Sequence, residues 1–196
     1  QVILTATGEA YAPCEDVSDV VIITFDRTPL VDAGDDDLIC EGDSYAMDAQ
    51  AEFYTSLLWT TSGDGTFDNP SVQDAVYTPG TQDIELGSVE LSLTGESAGS
   101  CSNSTDVMTL TIVNSSIAFA GEDAIVCETD NYFIADAYAE QYLSVTWSTS
   151  GTGSFDNPSA VNPVYEPSET DLINGAVVLT IEVIPEGNCD PATDNM

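Results

Sequence analysis

The chain has 196 residues, of which 35 are acidic, and a single arginine, Arg27, is its only basic side chain, so the net charge is −34. Nucleic acids and anionic membrane surfaces are bound through cationic side chains, so this composition excludes both as partners. No apolar run reaches the length of a membrane-spanning helix, and we expect no direct membrane insertion. A hydrophobic content of 42% is nevertheless enough to build folded cores.

The chain contains no histidine and no lysine, and this composition argues against catalysis. General bases at neutral pH, and the groups that activate a serine or cysteine nucleophile, are most often histidine or lysine. Paired carboxylates can hydrolyse glycosides, but among so many acidic residues no pair stands out. We therefore predict that the chain is not an enzyme.

The most informative feature of the sequence is a repeat of about 87 residues. Three motifs occur twice in the same order: Cys40-Glu41-Gly42-Asp43 and Cys127-Glu128-Thr129-Asp130, Trp59-Thr60-Thr61-Ser62-Gly63 and Trp147-Ser148-Thr149-Ser150-Gly151, Phe67-Asp68-Asn69-Pro70 and Phe155-Asp156-Asn157-Pro158. A tandem unit of this length is typical of domains copied along a rod, which serve reach and attachment.

The repeat divides the chain into three predicted parts, which we name units 1, 2 and 3. Unit 1 (residues 1–27) matches the C-terminal part of a repeat whose beginning is missing. Unit 2 (residues 28–114) is a complete repeat, and unit 3 (residues 115–196) is a repeat that lacks its last strand. We expect the parent protein to continue in both directions.

Short segments of alternating apolar and polar residues, separated by Gly, Pro, Asn and Asp, predict an all-β chain. We expect one helical turn near residues 81–86 and about seven strands in unit 2: Asp37–Cys40, Ser44–Ala49, Leu57–Thr61, Thr66–Phe67, Ala75–Thr78, Ser88–Thr94 and Thr105–Val113. Seven short strands in fewer than 90 residues favour a two-sheet sandwich of the immunoglobulin type in each complete unit. Trp59 and Trp147 then lie in mid-strand as core residues.

The five cysteines predict disulfides formed in an oxidising compartment, because no C-x-x-C pair or histidine is present to build a zinc site. Within units, Cys40 would join Cys101, Cys127 would join Cys189, and Cys14 would join an upstream repeat. Across unit boundaries, Cys14 would join Cys40 and Cys101 would join Cys127. We favour the within-unit pairing, since it ties a small core to its own last hairpin and closes a loop of roughly 60 residues.

The acidic residues near the start of each unit suggest calcium as a possible cofactor, since hard cations bind several carboxylate and carbonyl oxygens. The candidate ligands at the unit junctions are Asp32, Asp35, Asp36, Asp37, Glu122 and Asp123. Asp35 and Asp36 match acidic residues in the next repeat, whereas Asp32 and Asp37 do not. Diffuse counterions around a solvated acidic surface are the alternative, and no other cofactor is expected.

Aromatic residues at one position of each repeat raise a second possible function. Tyr54 and Tyr142 correspond between units 2 and 3, and Phe53 and Tyr138 lie near them in sequence. A glycan-binding module would present two or three such rings on one face. These two tyrosines are therefore the candidate ligand residues of a glycan-binding accessory module of a secreted protein.

The repeated motifs, together with Ala33-Gly34, Tyr77-Thr78-Pro79 and Met108-Thr109-Leu110-Thr111-Ile112, resemble the PKD-like, immunoglobulin-type repeats of giant surface adhesins of gliding Bacteroidota. The resemblance covers essentially the whole chain. It implies export by type IX secretion, an extracellular location on the cell surface, and a role in adhesion or gliding motility. It carries over no binding residues, since the shared motif residues are structural.

We therefore predict a repetitive segment of a secreted surface filament, whose units act as extended, disulfide-stapled spacers. The glycan-binding module remains the alternative. The expected partners are neighbouring repeats of the same chain, with surface polysaccharide or other surface proteins as further candidates.

Overall fold

The computed structural model describes all 196 residues and consists of nineteen β-strands and two short α-helices, which confirms the all-β prediction. Unit 1 contributes one antiparallel hairpin, formed by β1 (Val2–Gly8) and β2 (Val17–Ile23). Every residue of this hairpin is exposed. No helix of the structure is long and apolar enough to cross a membrane.

Unit 2 is a sandwich built around a four-stranded sheet in the order β4-β11-β10-β7. Two smaller sheets complete it, one with the order β3-β6 and one with the order β5-β9-β8. Its elements are β3 (Leu30–Asp32), β4 (Asp37–Cys40), β5 (Tyr45–Ala46), β6 (Gln50–Glu52), β7 (Ser56–Thr61), β8 (Thr66–Phe67), β9 (Val76–Thr78), α1 (Thr81–Leu86), β10 (Ser88–Glu96) and β11 (Ser104–Val113).

Unit 3 repeats most of this arrangement. Its sheets have the orders β15-β18-β19, β12-β14 and β13-β17-β16. Its elements are β12 (Ile117–Phe119), β13 (Tyr132–Phe133), β14 (Tyr138–Glu140), β15 (Ser144–Thr149), β16 (Ser154–Phe155), β17 (Val164–Glu166), α2 (Glu169–Asn174), β18 (Leu179–Ile184) and β19 (Ala192–Asn195).

The predicted strands of unit 2 agree with the structure except at residues 30–32 and 44–52. Of the predicted strand 44–49 only β5 (Tyr45–Ala46) forms, and it pairs with β9. The chain then crosses to another sheet, where β6 (Gln50–Glu52) pairs with β3. Strands β3 and β6 were not predicted, because three residues are too few to show a periodic pattern.

Each sandwich has its own hydrophobic core. Alternate residues of β7 and β10 point inward, and Trp59 is only 2% exposed in a core of 12 buried residues. Trp147 is 3% exposed in a second core of nine. This placement confirms both tryptophans as core residues. Each indole N–H is also satisfied, since Trp59 donates to the carbonyl of Val72 and Trp147 to that of Ala160.

The two cysteines of unit 2 lie at opposite ends of its four-stranded sheet. Strand β4 runs parallel to β11 and places Cys40 opposite Val113. The turn between β10 and β11, which contains Cys101, lies at the other end of the same sheet. We call the end with Cys40 the distal end, because the chain leaves it toward unit 3, and the end with the hairpin turn the proximal end.

Unit 3 lacks the counterpart of the β4–β11 pairing. Strand β19 ends at Asn195, and residues 124–127, which correspond to β4, form no strand. A cavity of about 620 Å³ lies beside them, with Ile125, Val126, Leu179 and Met196 in its lining. In unit 2 the corresponding part of the core is filled by Leu110 and Ile112.

An extension of five residues, Thr-Leu-Thr-Ile-Val, after Met196 should therefore stabilise unit 3. The added Leu and Ile correspond to Leu110 and Ile112, which are 0% and 3% exposed. Burying two such side chains is worth about 3 kcal/mol, so the denaturant midpoint of unit 3 should rise. Urea unfolding read by Trp147 fluorescence, in a Trp59→Phe background, measures it. An extension by Thr-Ser-Thr-Ser-Val is the control, and an equal rise with both extensions would contradict cavity filling.

Candidate functional site

The junction between units 2 and 3 brings residues of both units together. A carboxylate oxygen of Glu41 accepts a hydrogen bond from the Ser115 backbone N–H at 2.9 Å, and the Ser116 hydroxyl donates to the Gln141 carbonyl at 2.6 Å. The bond from Ser115 holds the pKa of Glu41 below its usual value. The linker is thus bound on both sides, which limits its freedom to bend.

The turn between β18 and β19 forms the rest of this junction. Gly187 lies so close to Leu38 of unit 2 that an added Cβ would be 2.7 Å from its side chain. A cavity of about 360 Å³ separates the two units beside this contact, and it is lined by Val113, Asn114, Tyr142 and Glu186, among others. The hairpin of unit 3 therefore packs directly on the distal end of unit 2.

The junction between units 1 and 2 has the same plan. Gly99, which corresponds to Gly187, lies against the Asp26 carboxylate of unit 1. The guanidinium of Arg27 lies 4.4 Å from the centre of the Phe53 ring. Phe53 and its counterpart Gln141 share a left-handed backbone, with φ of 60° and 54°. At both junctions the hairpin of the following unit contacts the end of the preceding unit, and its β6–β7 or β14–β15 turn contacts the linker.

One disulfide closes the second junction. Cys40 of unit 2 is bonded to Cys189 of unit 3, with their Cα atoms 5.5 Å apart, while Cys14, Cys101 and Cys127 are free. This bond corrects both predicted schemes. It rules out Cys40–Cys101 and Cys127–Cys189 within units, and equally Cys14–Cys40 across boundaries, because it uses Cys40 and Cys189.

Cys40 and Cys101 cannot pair because they lie at opposite ends of the sandwich. Cys40 is at the distal end of unit 2, and Cys101 is in the proximal turn beyond Ser104. The ten residues of β11 that separate these ends span about 30 Å at roughly 3.3 Å per residue. A disulfide requires Cα atoms within about 7 Å. A within-unit bond therefore cannot form without unfolding the sheet.

Three of the six candidate calcium ligands accept hydrogen bonds from the backbone. Asp32 accepts from the N–H of Gly34, Asp36 from that of Thr109, and Asp37 from that of Leu38. Asp35, Glu122 and Asp123 are exposed, and no three acidic or cysteine side chains are grouped so that they could hold a metal ion. Calcium at the junction remains a prediction without a ligand set in the structure.

The turn motifs also have structural roles. Asp68 accepts from the N–H groups of Asn69 and Val76, and Asp156 repeats both bonds with Asn157 and Val164. Asp64, in a turn that resembles a cation loop, instead accepts from the N–H groups of Gln82 and Asp83 at the start of α1.

Two buried carboxylates were missed by the sequence analysis. Asp83 is 1% exposed and accepts hydrogen bonds from the Tyr77 hydroxyl and from the N–H groups of Asp64, Gly65 and Gly80. The bonds from Asp64 and Gly65 join the start of α1 to the β7–β8 turn, the bond from Tyr77 joins it to β9, and the bond from Gly80 caps the helix itself. One carboxylate thus ties three segments of the sandwich together.

Asp171 is the counterpart in unit 3. It accepts from the Tyr165 hydroxyl and from the N–H groups of Thr152, Gly153 and Ser168. The sequence contains one indication of this pair, since an aspartate follows both Tyr77 and Tyr165 by six residues.

Hydrogen bonding sets the ionisation of both carboxyls. Burial acts to raise the pKa of Asp83, but the bonds from Tyr77, Gly80, Asp64 and Gly65 outweigh it and hold the pKa below its usual value. The N–H groups of Ser168 and Thr152 are the main cause of the still lower pKa of Asp171. Both groups therefore favour the folded state in their ionised form.

The candidate ligand tyrosines do not form a platform. Tyr54 is 38% exposed and Tyr142 is 43% exposed. Neither ring packs against another aromatic ring, whereas Tyr138 packs against Phe119 with ring centres 5.1 Å apart. Tyr142 instead lines the cavity between units 2 and 3. A ligand role for these tyrosines remains a prediction.

Comparisons with known proteins show similarity in structure only. No family model matches the chain, and no curated protein matches it significantly. It is similar to mouse cadherin-23 EC22-24, with 15% identity over 87% of this chain and 65% of that chain and a TM-score of 0.46. It is also similar to Drosophila N-cadherin EC1-4, with 13% identity over 93% of this chain and 51% of that one and a TM-score of 0.46.

A third similar structure is human protocadherin-24 EC1-2, with 9% identity over 88% of this chain and 94% of that chain and a TM-score of 0.45. The chain spans less than two thirds of the length of the first two structures. Such low identities carry no information about function, which therefore has to follow from the chain's own residues.

The substitution Asp83→Asn should destabilise unit 2 at neutral pH. Asn presents one acceptor oxygen where the carboxylate has two, so buried donors lose their partner, at a cost of about 2 kcal/mol. The loss should shrink as the pH falls, because the lowered pKa of Asp83 means that its stabilisation is present above about pH 4 and disappears below it.

Urea unfolding read by Trp59 fluorescence in a Trp147→Phe background, between pH 7 and pH 2.5, measures both effects. Asp74→Asn is the matched control, since Asp74 is exposed and makes no side-chain hydrogen bond. A pH-independent difference between Asp83→Asn and the parent would contradict the role assigned to the ionised carboxylate.

The substitution Cys40→Ser should loosen the second junction without unfolding either sandwich. Both cores are separate from the disulfide, so far-UV circular dichroism should stay unchanged. The distribution of distances measured by small-angle X-ray scattering should broaden, because only non-covalent contacts and the linker then hold the two units together. Cys101→Ser, which removes a free thiol, is the control and should leave the scattering unchanged. Identical scattering from both variants would show that packing alone holds the junction.

Proposed function

We propose that the chain is a spacer segment of a secreted surface filament, whose repeats transmit tension along the array. The observation that carries this proposal is the covalent bond between consecutive units, Cys40 to Cys189. In a ligand-binding module such a bond would stabilise the fold, but it would not have to join consecutive units. A rod that is pulled at its ends gains resistance to unfolding.

The disulfide changes the path along which force travels. Cys40 and Cys189 are separated by 149 positions in sequence but by 5.5 Å in space. Tension applied at the chain ends passes through the sulfur atoms, so residues 41–188, which include every buried core residue of the two sandwiches except Ala33, lie outside the path of the load. Most of units 2 and 3 therefore cannot be pulled apart while the bond is intact.

The surface supports the same function. With 35 acidic residues and one basic residue, ion pairs between side chains cannot hold the fold or bind copies of the filament to each other. Like charges along the array favour an extended shape and keep neighbouring filaments soluble.

The location and the export route belong to the proposal. A disulfide between repeats is formed and kept in an oxidising compartment, which supports an extracellular location. The resemblance of the repeated motifs to giant surface adhesins of gliding Bacteroidota supports a filament on the cell surface, exported by type IX secretion, that acts in adhesion or gliding. Its partners are then the neighbouring repeats and the polysaccharide or protein surfaces that the filament reaches.

Stretching the chain between Gln1 and Met196 by atomic force microscopy tests the proposal. With the bond intact, only about 47 residues can extend, to about 160 Å at roughly 3.4 Å per residue. After reduction the whole chain should extend to about 670 Å. Cys40→Ser should behave like the reduced chain, and Cys101→Ser like the oxidised one. Full extension of the oxidised chain would contradict the proposal.

A further inference from the structure

We propose that every junction of this repeat is closed by the same disulfide, so that an array forms an interlocked ladder. In this ladder the cysteine at the distal end of each unit bonds to the hairpin cysteine of the next unit. Cys127 and Cys101 are then half-sites whose partners lie in neighbouring units. The inference goes beyond the spacer function, which needs only the bond that is present.

The five cysteines belong to two classes by position. Cys40 and Cys127 each precede a tight turn at the distal end of their units. The other three, Cys14, Cys101 and Cys189, lie in the turns between the paired strands β1–β2, β10–β11 and β18–β19. The existing bond joins one cysteine of each class from consecutive units.

Cys127 precedes the same kind of turn as Cys40, although residues 124–127 form no strand. The N–H of Asp130 donates to the Cys127 carbonyl at 3.0 Å, and the N–H of Asp43 donates to the Cys40 carbonyl at 3.0 Å. Cys127 is an exposed thiol at the free distal end of unit 3. The turn that presents Cys40 to the next unit therefore presents Cys127 in the same way.

Cys101 has the geometry of Cys189. Its hairpin places Gly99 against Asp26 of unit 1, as the hairpin of Cys189 places Gly187 against Leu38 of unit 2. In the repeat Asp26 corresponds to Val113, and Val113 is the residue opposite Cys40. A strand equivalent to β4 beside the end of unit 1 would therefore bring its cysteine next to Cys101.

The ends of the units exclude the other pairings. A distal cysteine and the hairpin cysteine of its own unit lie at opposite ends of one sheet, about 30 Å apart. Cys127 and Cys101 are further apart still, since they lie at the far ends of two consecutive units. Only a distal cysteine and the hairpin cysteine of the following unit face each other.

The bond forms by thiol–disulfide exchange. Each pair of thiols loses two protons and two electrons to an external disulfide, either a small molecule or an oxidoreductase, which leaves as two thiols. Successive bonds then overlap in sequence, because each closes a loop that reaches across the next junction. Every internal unit is crossed by two bonds, and no unit can be extended alone.

The test extends the chain in register. Met196 corresponds to Met108, so residues 109–196 added after Met196 complete unit 3 and supply a fourth unit with its own hairpin cysteine. The extended chain has seven cysteines, the five present and the added copies of Cys127 and Cys189. It is refolded with oxidised and reduced glutathione, its thiols are counted, and its disulfides are mapped in a non-reducing digest.

The ladder predicts three free thiols, with Cys127 bonded to the added copy of Cys189 and Cys40 still bonded to Cys189. Pairing within units, or across boundaries by the other scheme, would leave one free thiol. In the extended chain, the substitution Cys127→Ser should leave the added copy of Cys189 as a free thiol and the Cys40–Cys189 bond intact. A free Cys127 in the extended chain would overturn the proposal.

A second variant does not depend on the added unit. In the chain of 196 residues, Cys40→Ser should leave Cys189 as a free thiol, so that all four remaining cysteines react with iodoacetamide. A bond from Cys189 to Cys127 in this variant would show that the two ends of one unit can meet. That result would also overturn the ladder, whereas the stretching experiment on the parent chain would be unaffected.

Discussion

Strand β4 lies parallel to the last strand of its sheet, β11, with Asp37 opposite Leu110 and Cys40 opposite Val113. This pairing completes the four-stranded sheet over the core of unit 2, and it also carries Cys40 to the end of the unit that faces unit 3. Had β4 run antiparallel to β11 over the same residues, Cys40 would lie opposite Leu110, about 10 Å back from the end that faces unit 3. The direction of this four-residue strand thus places Cys40 where the next unit can reach it.

The comparison of units 2 and 3 shows which parts of the fold tolerate change. In unit 2 the start of α1 is capped by Asp64, and residue 80 is a glycine without a side chain. In unit 3 the helix is capped by Ser168, whose hydroxyl also bonds to Thr152, the counterpart of Asp64. The capping side chain thus comes from the β7–β8 turn in unit 2 and from the residue before the helix in unit 3. The buried aspartate and its tyrosine partner are the same in both units.

Much of the fold could be predicted from the sequence, because the alternation in strands such as β7, β10 and β11 is strong and the repeat shows it twice. The helical turn at residues 81–86 and the buried tryptophans followed from the same patterns. The disulfide could not be predicted, because nothing in Asp37–Cys40 reveals that this strand pairs in parallel with β11. Spacing along the chain suggested that Cys40 and Cys101 were partners, and the sheet places them at opposite ends.

The mechanical role of the repeats depends on the bond between Cys40 and Cys189, which a disulfide map of the unaltered chain detects. Free thiols are alkylated under denaturing conditions, and the chain is digested without reduction. We expect one crosslinked peptide pair, containing Cys40 and Cys189, and alkylated Cys14, Cys101 and Cys127. A peptide pair joining Cys40 to Cys101, or Cys127 to Cys189, would contradict the account.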